Sequence, residues 1–429
     1  MFARSFAKAA DVPRTHISMV GFMNAGKSSI MNSITQQPTS IVDDTPGTTA
    51  DTKIALMEIH KIGPCKLLDT AGVDELGVLG NKKLTKTMSA VKESDLVLFV
   101  IDPCHFNPEL FQPILNLAKR RGKVSAIVYN HFDRNSNKDF EKKMNEASLT
   151  ISKIVNEKLP SITVNAIDQK STNQKIIPFI ASLKKQTKPV PLLPSKFTGP
   201  DKTIFLNIPL DIESPTGRLL RPQTMLIEYS LRRLSPATLY NMNLKAARSE
   251  SCQKELQRFQ KCINSNSPSL AVTDSQAIDV MFKWTPQNIP LTTFSVMMAN
   301  IQSGGKLSEF SKGIDRLRNL KKGDRVLICE ACNHDRIGDD IGTVQLPTKL
   351  KKKYPGVEID WAFGRSYEDK KLSDYALALH CGGCMISKQQ MISRIQDLLE
   401  SGVPVANYGL ALSYLASPAA LDRVLKPWQ

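Results

Sequence analysis

Nine residues near the start of the chain, Gly21–Ser29 (GFMNAGKSS), restrict what it can fold into more than any other stretch. An apolar run, His16–Val20, precedes them, and an apolar helical pattern follows. The spacing G-x-x-x-x-G-K-S between a strand and a helix turns backbone N–H groups inward around a phosphate at the helix N-terminus. Gly21, Asn24, Ala25, Gly26, Lys27, Ser28 and Ser29 are therefore the expected phosphate-side contacts. Lys27 is placed to meet the β- and γ-phosphates, and Ser28 to ligate Mg²⁺. A plain glycine turn before a helix does not explain a lysine and a serine at this spacing.

Further pieces of a nucleotide switch follow in order. Asp43–Asp51 (DDTPGTTAD) supplies Thr48 and Thr49, either of which can complete a Mg²⁺ shell. Lys66–Gly72 (KLLDTAG) is a strand ending in D-x-x-G, where Asp69 can hold Mg²⁺ through water and the Gly72 N–H can sense the γ-phosphate. Ser94–Asp102 and Lys123–Asn130 read as further buried strands. Strands alternating with helical stretches indicate a parallel sheet with helices on both faces. Asn130–Asp133 (NHFD) resembles the N-K-x-D motif of GTPases, with His131 where a lysine is usual. A carboxylate at Asp133 accepts from N1–H and the 2-amino group of guanine, so GTP is favoured over ATP. Asn165 and Ala166 stand where a Ser-Ala base loop is expected. Asn24, the PGTT segment and Val73 after D-x-x-G resemble the Era and TrmE branch of GTPases. That resemblance implies slow hydrolysis, faster in K⁺ than in Na⁺, with Asn24, Lys27, Thr48, Thr49 and Gly72 as the catalytic set.

At 429 residues the chain exceeds one ordinary core, and roughly two to four domains are expected. The readings are a possible organellar targeting segment over 1–13, a GTPase domain over 14–186 and a linker over 187–200. A small domain over 201–268 and a larger one over 269–429 follow. The first ten residues carry Arg4 and Lys8 and no acid, which fits either a short transit segment or a frayed terminus. Helices are expected over 222–234 and 250–262. About seventy residues is marginal for a free-standing core, so 201–268 is expected to lean on a neighbour or a second copy. Apolar runs are strand-sized, and none spans a bilayer. The formal net charge of +16 is spread in small groups such as Lys321–Lys322 and Lys351–Lys353. This reads as a solvated basic surface, and no nucleic-acid partner is expected.

Chemistry of another kind sits in the last third. Four of the eight cysteines form two C-x-x-C pairs, Cys329/Cys332 and Cys381/Cys384. With His334 and His380 the pattern is C-x-H-x₄₅-H-C-x-x-C, each half at the end of an apolar strand. Three readings are open on the residues alone. The thiols are core residues, or both pairs close a Cys₄ zinc site, or Cys332, Cys381 and Cys384 hold an iron–sulfur cluster with one exchangeable iron ligand. In the last case His334 or His380 is the candidate fourth ligand. The zinc reading belongs to an alternative function, an RNA-binding Era-like GTPase.

The stretches Val272–Ala277 (VTDSQA), Asp324–His334 (DRVLICEACNH), Asp339–Pro347 (DDIGTVQLP), His380–Met385 (HCGGCM) and Gly402–Gly409 (GVPVANYG) closely resemble the FeFe-hydrogenase maturation GTPases, the HydF family. The resemblance covers nearly the whole chain. It implies a P-loop GTPase domain, a small α+β dimerisation domain and an α/β cluster-binding domain. It further implies GTP, Mg²⁺ and a 4Fe-4S cluster on Cys332, Cys381 and Cys384, with Cys329 as packing. The implied work is to carry a transient diiron subcluster, built with radical-SAM maturases, to apo FeFe-hydrogenase. A homodimer or tetramer is implied too. Such work needs a reducing, anaerobic compartment, which points to a hydrogen-producing organelle or to a cytoplasm.

Overall fold

The computed structural model describes residues 14–36, 53–73, 77–132, 137–184, 190–210, 219–305, 307–331, 340–364, 366–383 and 386–429. The chain divides into two compact units, Met1–Pro189 and Val190–Gln429. The proposed targeting segment over 1–13 lies outside the described residues.

In the first unit, six strands form one sheet: β1 (Thr15–Val20), β2 (Lys53–Ile59), β3 (Gly63–Asp69), β4 (Leu96–Ile101), β5 (Val124–Asn130) and β6 (Ser161–Val164). Their order is β2-β3-β1-β4-β5-β6. Only β2 runs antiparallel to its neighbour. Strand β4, LVLFVI, is buried along its whole length, as a central parallel strand must be when helices cover both faces. Its residues alternate between two cores. Leu96, Leu98 and Val100 join Ile30, Ile34, Ile176 and Ile180 of the helices Lys27–Thr35 and Gln169–Lys184. Val97, Phe99 and Ile101 join Phe111, Ile114 and Ile151 of the helices Pro108–Arg120 and Asn137–Val155. This parallel arrangement puts the loops after β1, β3, β5 and β6 at one edge, the usual place for a ligand on such a sheet.

The second unit holds two four-stranded sheets. The first comprises β7 (Ile204–Asn207), β8 (Ala237–Tyr240), β9 (Leu270–Thr273) and β10 (Leu291–Thr293), in the order β10-β9-β7-β8. All its pairings are parallel. This corrects two expectations. The sheet is α/β rather than α+β, because helical crossovers join its strands. The boundary at 268/269 also cuts through it, because Ile204 of β7 pairs with Leu270 of β9. Strand β9 is buried throughout and needs a neighbour on each side. The expected helices are present as Arg221–Arg232 and Gln253–Asn266.

The second sheet comprises β11 (Arg325–Glu330), β12 (Glu358–Phe363), β13 (Leu377–His380) and β14 (Val405–Asn407), in the order β12-β11-β13-β14 and wholly parallel. One hydrophobic core runs through both sheets, from Phe205, Phe259 and Leu291 to Leu327, Leu379 and Leu412. The last helix, Pro418–Leu425, returns to the first sheet. There Thr292 Oγ1 donates to the Val424 carbonyl at 3.0 Å, and Trp428 Nε1 donates to Thr292 Oγ1 at 2.9 Å. The small sheet therefore leans on its neighbour within the same chain.

Candidate functional site

The loop Gly21–Gly26 joins β1 to the helix that begins at Lys27. Its two glycines are required by close approach. A Cβ on Gly21 would stand 2.3 Å from the Val100 carbonyl oxygen, and one on Gly26 would stand 2.3 Å from Asn130 Nδ2. Gly26 also sits at φ +100°, which favours glycine. Lys27 curls over the loop, with Nζ donating to the carbonyls of Gly21 at 3.1 Å and Phe22 at 2.7 Å. Ser28 Oγ donates to Asp69 Oδ2 at 2.5 Å. Asp69 Oδ1 is buried with no hydrogen-bond partner. Burial pushes the Asp69 carboxyl above its usual range, opposed by the Ser28 hydrogen bond and the charges of Lys27 and Lys53. The Ser28 hydroxyl and the Asp69 carboxylate, one of whose oxygens is unsatisfied, form an all-oxygen donor set that fits Mg²⁺. Thr48 and Thr49 lie outside the described residues. Two residues before Gly72, Thr70 donates from both its N–H and its hydroxyl to the Met19 carbonyl. Val73 is buried in the core.

On the base side, Asn130 is fully buried and joins two loops. Its Nδ2 donates to the Ala25 carbonyl at 3.0 Å, and its Oδ1 accepts from the Ala166 N–H at 3.0 Å. Asn165 folds its own turn, with Oδ1 accepting from the Ile167 N–H at 3.1 Å. Its carbonyl accepts from Thr172 Oγ1 at 2.7 Å. His131 presents its ring edge-on to Phe140, with centroids 4.6 Å apart. Asp133 lies outside the described residues, and Ser29 is exposed on the first turn of the helix.

In the second unit, β13 ends at His380 and delivers Cys381 beside the end of β11. The Cys381 N–H donates to the Cys329 carbonyl at 2.9 Å, and the Ala331 N–H donates to Cys381 Sγ at 3.1 Å. An amide aimed at a thiol sulfur stabilises the thiolate, the form that binds metal. Cys329 differs. It is wholly buried in the core shared by the two sheets, and burial pushes its thiol up to about 12. Cys332, His334 and Cys384 lie outside the described residues. Among the described residues no three His, Cys, Asp or Glu side chains form a metal cluster.

His380 is corrected as a ligand in this structure. Its ring is fully buried, and Arg394 Nε donates to its Nε2 at 3.0 Å. Nε2 is therefore the acceptor, which leaves the proton on Nδ1 to donate to the Cys381 carbonyl at 3.0 Å. Both nitrogens are occupied, and His380 shapes the loop backbone. Arg394 also donates to the Gly364 carbonyl and lies 4.3 Å from the Tyr367 ring. Two residues of the first sheet's helices reach the same loop. Gln302 Nε2 donates to the Gly382 carbonyl at 2.9 Å, and Arg221 Nη1 donates to the Ile386 carbonyl at 2.5 Å. Arg394, Gln302 and Arg221 escape a reading of the sequence because no local spacing links them to Cys381.

Comparison with known proteins agrees with this division. The model of the hydrogen maturase F dimerization domain matches residues 193–303, and that of the hydrogen maturase F tetramerization domain matches 308–427. Together they take in more than half of the chain. A model described as a 50S ribosome-binding GTPase matches 16–131. GTPase Der of a Nitratiruptor species is 32% identical over 123 residues, 29% of this chain and 26% of its own. GTPase Der of Mycoplasmopsis pulmonis is 30% identical over 183 residues, 40% of each chain. The chain thus spans well under half the length of these curated relatives. A solved structure of Aquifex aeolicus Era bound to GDP and AlF₄⁻ is 24% identical, over 43% of this chain and 60% of that one, with a TM-score of 0.34.

Proposed function

The chain belongs to the hydrogen maturase F family, and on that premise we propose that it is a GTP-hydrolysing iron–sulfur scaffold for the maturation of FeFe-hydrogenase. One observation carries the reading. A phosphate loop with a preassembled Ser28–Asp69 pair and a loop with an amide-supported thiol at Cys381 are built on the same chain. A simple nucleotide switch has no use for the second, and a zinc ribbon has none for the first.

On this reading Lys27 holds the β- and γ-phosphates, while Ser28 and Asp69 hold Mg²⁺ with Thr48 or Thr49. Asn130 keeps the phosphate and base loops in register, and Asp133 reads guanine. Asn24, in the left-handed region at φ 61°, is the proposed K⁺ contact. Cys332, Cys381 and Cys384 hold a 4Fe-4S cluster, with His334 as the remaining candidate for the fourth position. When bound, that cluster supplies an iron with an exchangeable site. The cargo is a diiron subcluster received from radical-SAM maturases and delivered to apo FeFe-hydrogenase. GTP hydrolysis times the association with those partners.

Homo-oligomers follow from the two oligomerisation models. The surface that supports a dimer is the edge strand β8, where Leu239 is exposed, with exposed Leu231 and Leu234 just before it in the chain. An unpaired edge beside exposed leucines is a template for a second copy. No helix among the described residues is long and apolar enough to cross a membrane. The compartment proposed is the matrix of a hydrogen-producing organelle, or else an anaerobic cytoplasm.

The test is delivery. Full-length protein loaded with cargo by its maturases is mixed with apo FeFe-hydrogenase, and hydrogen evolution is followed. Activation that requires the loaded chain supports the reading. Equal activation by the maturases alone contradicts it.

A further inference from the structure

One buried hydroxyl at the sheet edge that bears Cys381 makes no hydrogen bond within the fold. Residues Glu330, Cys381 and Tyr408 are neighbours at the C-terminal edge of the second sheet. Cys329 of β11 pairs with His380 of β13, and His380 pairs with Asn407 of β14. The next residue along each strand path is Glu330, Cys381 and Tyr408 respectively. Tyr408 opens the helix Tyr408–Ala416, and Asn407 caps that helix by accepting from the Leu410 N–H at 2.8 Å.

The Tyr408 ring is buried, yet its hydroxyl has no hydrogen-bond partner. A glycine backbone packs closely against it. Gly342 lies in the π-helical turn Ile341–Gln345, and a Cβ on it would stand 2.1 Å from Glu330 Oε1 and 2.7 Å from Tyr408 Oη. The turn is fixed by Trp361 Nε1 donating to the Gly342 carbonyl at 3.1 Å, and by Asp340 Oδ1 accepting from the Thr343 N–H at 2.7 Å. A phenol keeps its proton at neutral pH and is therefore a hydrogen-bond donor. A buried donor without a partner costs stability unless a bound group accepts from it.

We propose that Tyr408 is a positioning residue whose hydroxyl donates a hydrogen bond to the thiolate- and sulfide-ligated iron group held at Cys381. The proposal rests on the iron–sulfur reading above. Hydrogen bonds to the sulfurs of such a group favour its reduced, more negative state and raise its reduction potential.

The test is Tyr408→Phe in the full chain, which removes one oxygen and keeps the ring. Wild type and variant are reconstituted anaerobically with iron and sulfide. Reduction potential is read by EPR-monitored titration, and exchangeable protons near the iron by ENDOR before and after transfer to D₂O. The proposal expects the metal-free variant to melt no lower than wild type. It expects the loaded variant to keep its iron, to shift to a more negative potential and to lose one exchangeable proton coupling. Unchanged potential and unchanged coupling in an iron-loaded variant overturn the role of Tyr408 alone. A wild-type chain that takes up no iron and sulfide overturns the underlying reading as well.

Discussion

Asn130 holds two loops with one side chain, and both of its bonds are buried. Asn130→Ala strands the Ala25 carbonyl and the Ala166 N–H, at about 1–3 kcal/mol for each unsatisfied group. The expected outcome is a lower melting temperature for the GTPase domain and guanine-nucleotide affinity at least tenfold weaker, measured by fluorescent-nucleotide titration. Wild-type affinity in this variant would contradict the clasp. At this scale the phosphate loop is legible in the sequence because its chemistry is local: Gly21, Gly26, Lys27 and Ser28 lie within one turn and one loop. Asp69 is legible from D-x-x-G. The tie from Asn130 to Ala25 is not, because it spans 105 positions. His380 misleads for the same reason. A histidine beside a cysteine suggests a ligand, but the Arg394 that occupies its Nε2 lies on a different element.

The loop after β13 is held from outside its own sheet. Gln302, at the end of the helix Phe294–Gln302, and Arg221, at the start of the helix Arg221–Arg232, each bind one of its carbonyls. Both helices pack on the first sheet, around Leu206, Leu226 and Met297. The dimerisation unit is therefore in direct contact with the loop that bears Cys381. Gln302→Leu keeps the side chain's bulk and removes the donor. It is expected to speed iron loss to a chelator several-fold in anaerobically loaded protein, with GTP hydrolysis unchanged. Equal rates of iron loss would show that the contact does not hold the loop. The long elements here are readable from periodicity, as in the helix Gln253–Asn266. The boundary at 268 is not, because β9 and β10 are four and three residues long. Runs that short carry no usable period. Whether they pair with β7 or begin a new sheet is decided by a core assembled from distant segments.

Across the whole molecule, the two kinds of chemistry occupy separate compact units, the phosphate loop in 1–189 and the thiolate loop in 190–429. Each is legible as a motif. Their division of labour becomes legible only because the small sheet shares its core with the sheet that bears Cys381. The central claim is that this GTPase carries an iron–sulfur group on Cys381 and its partner cysteines, and does not need that group to hydrolyse GTP. The most direct measurement is iron, sulfide and zinc per chain after anaerobic reconstitution, in wild type and in Cys381→Ala, with GTP turnover measured on the same samples. The account predicts iron and sulfide in equal amounts in wild type, most of both lost in Cys381→Ala, and GTP turnover retained in both. Stoichiometric zinc without sulfide, or full iron retention in Cys381→Ala, would contradict it.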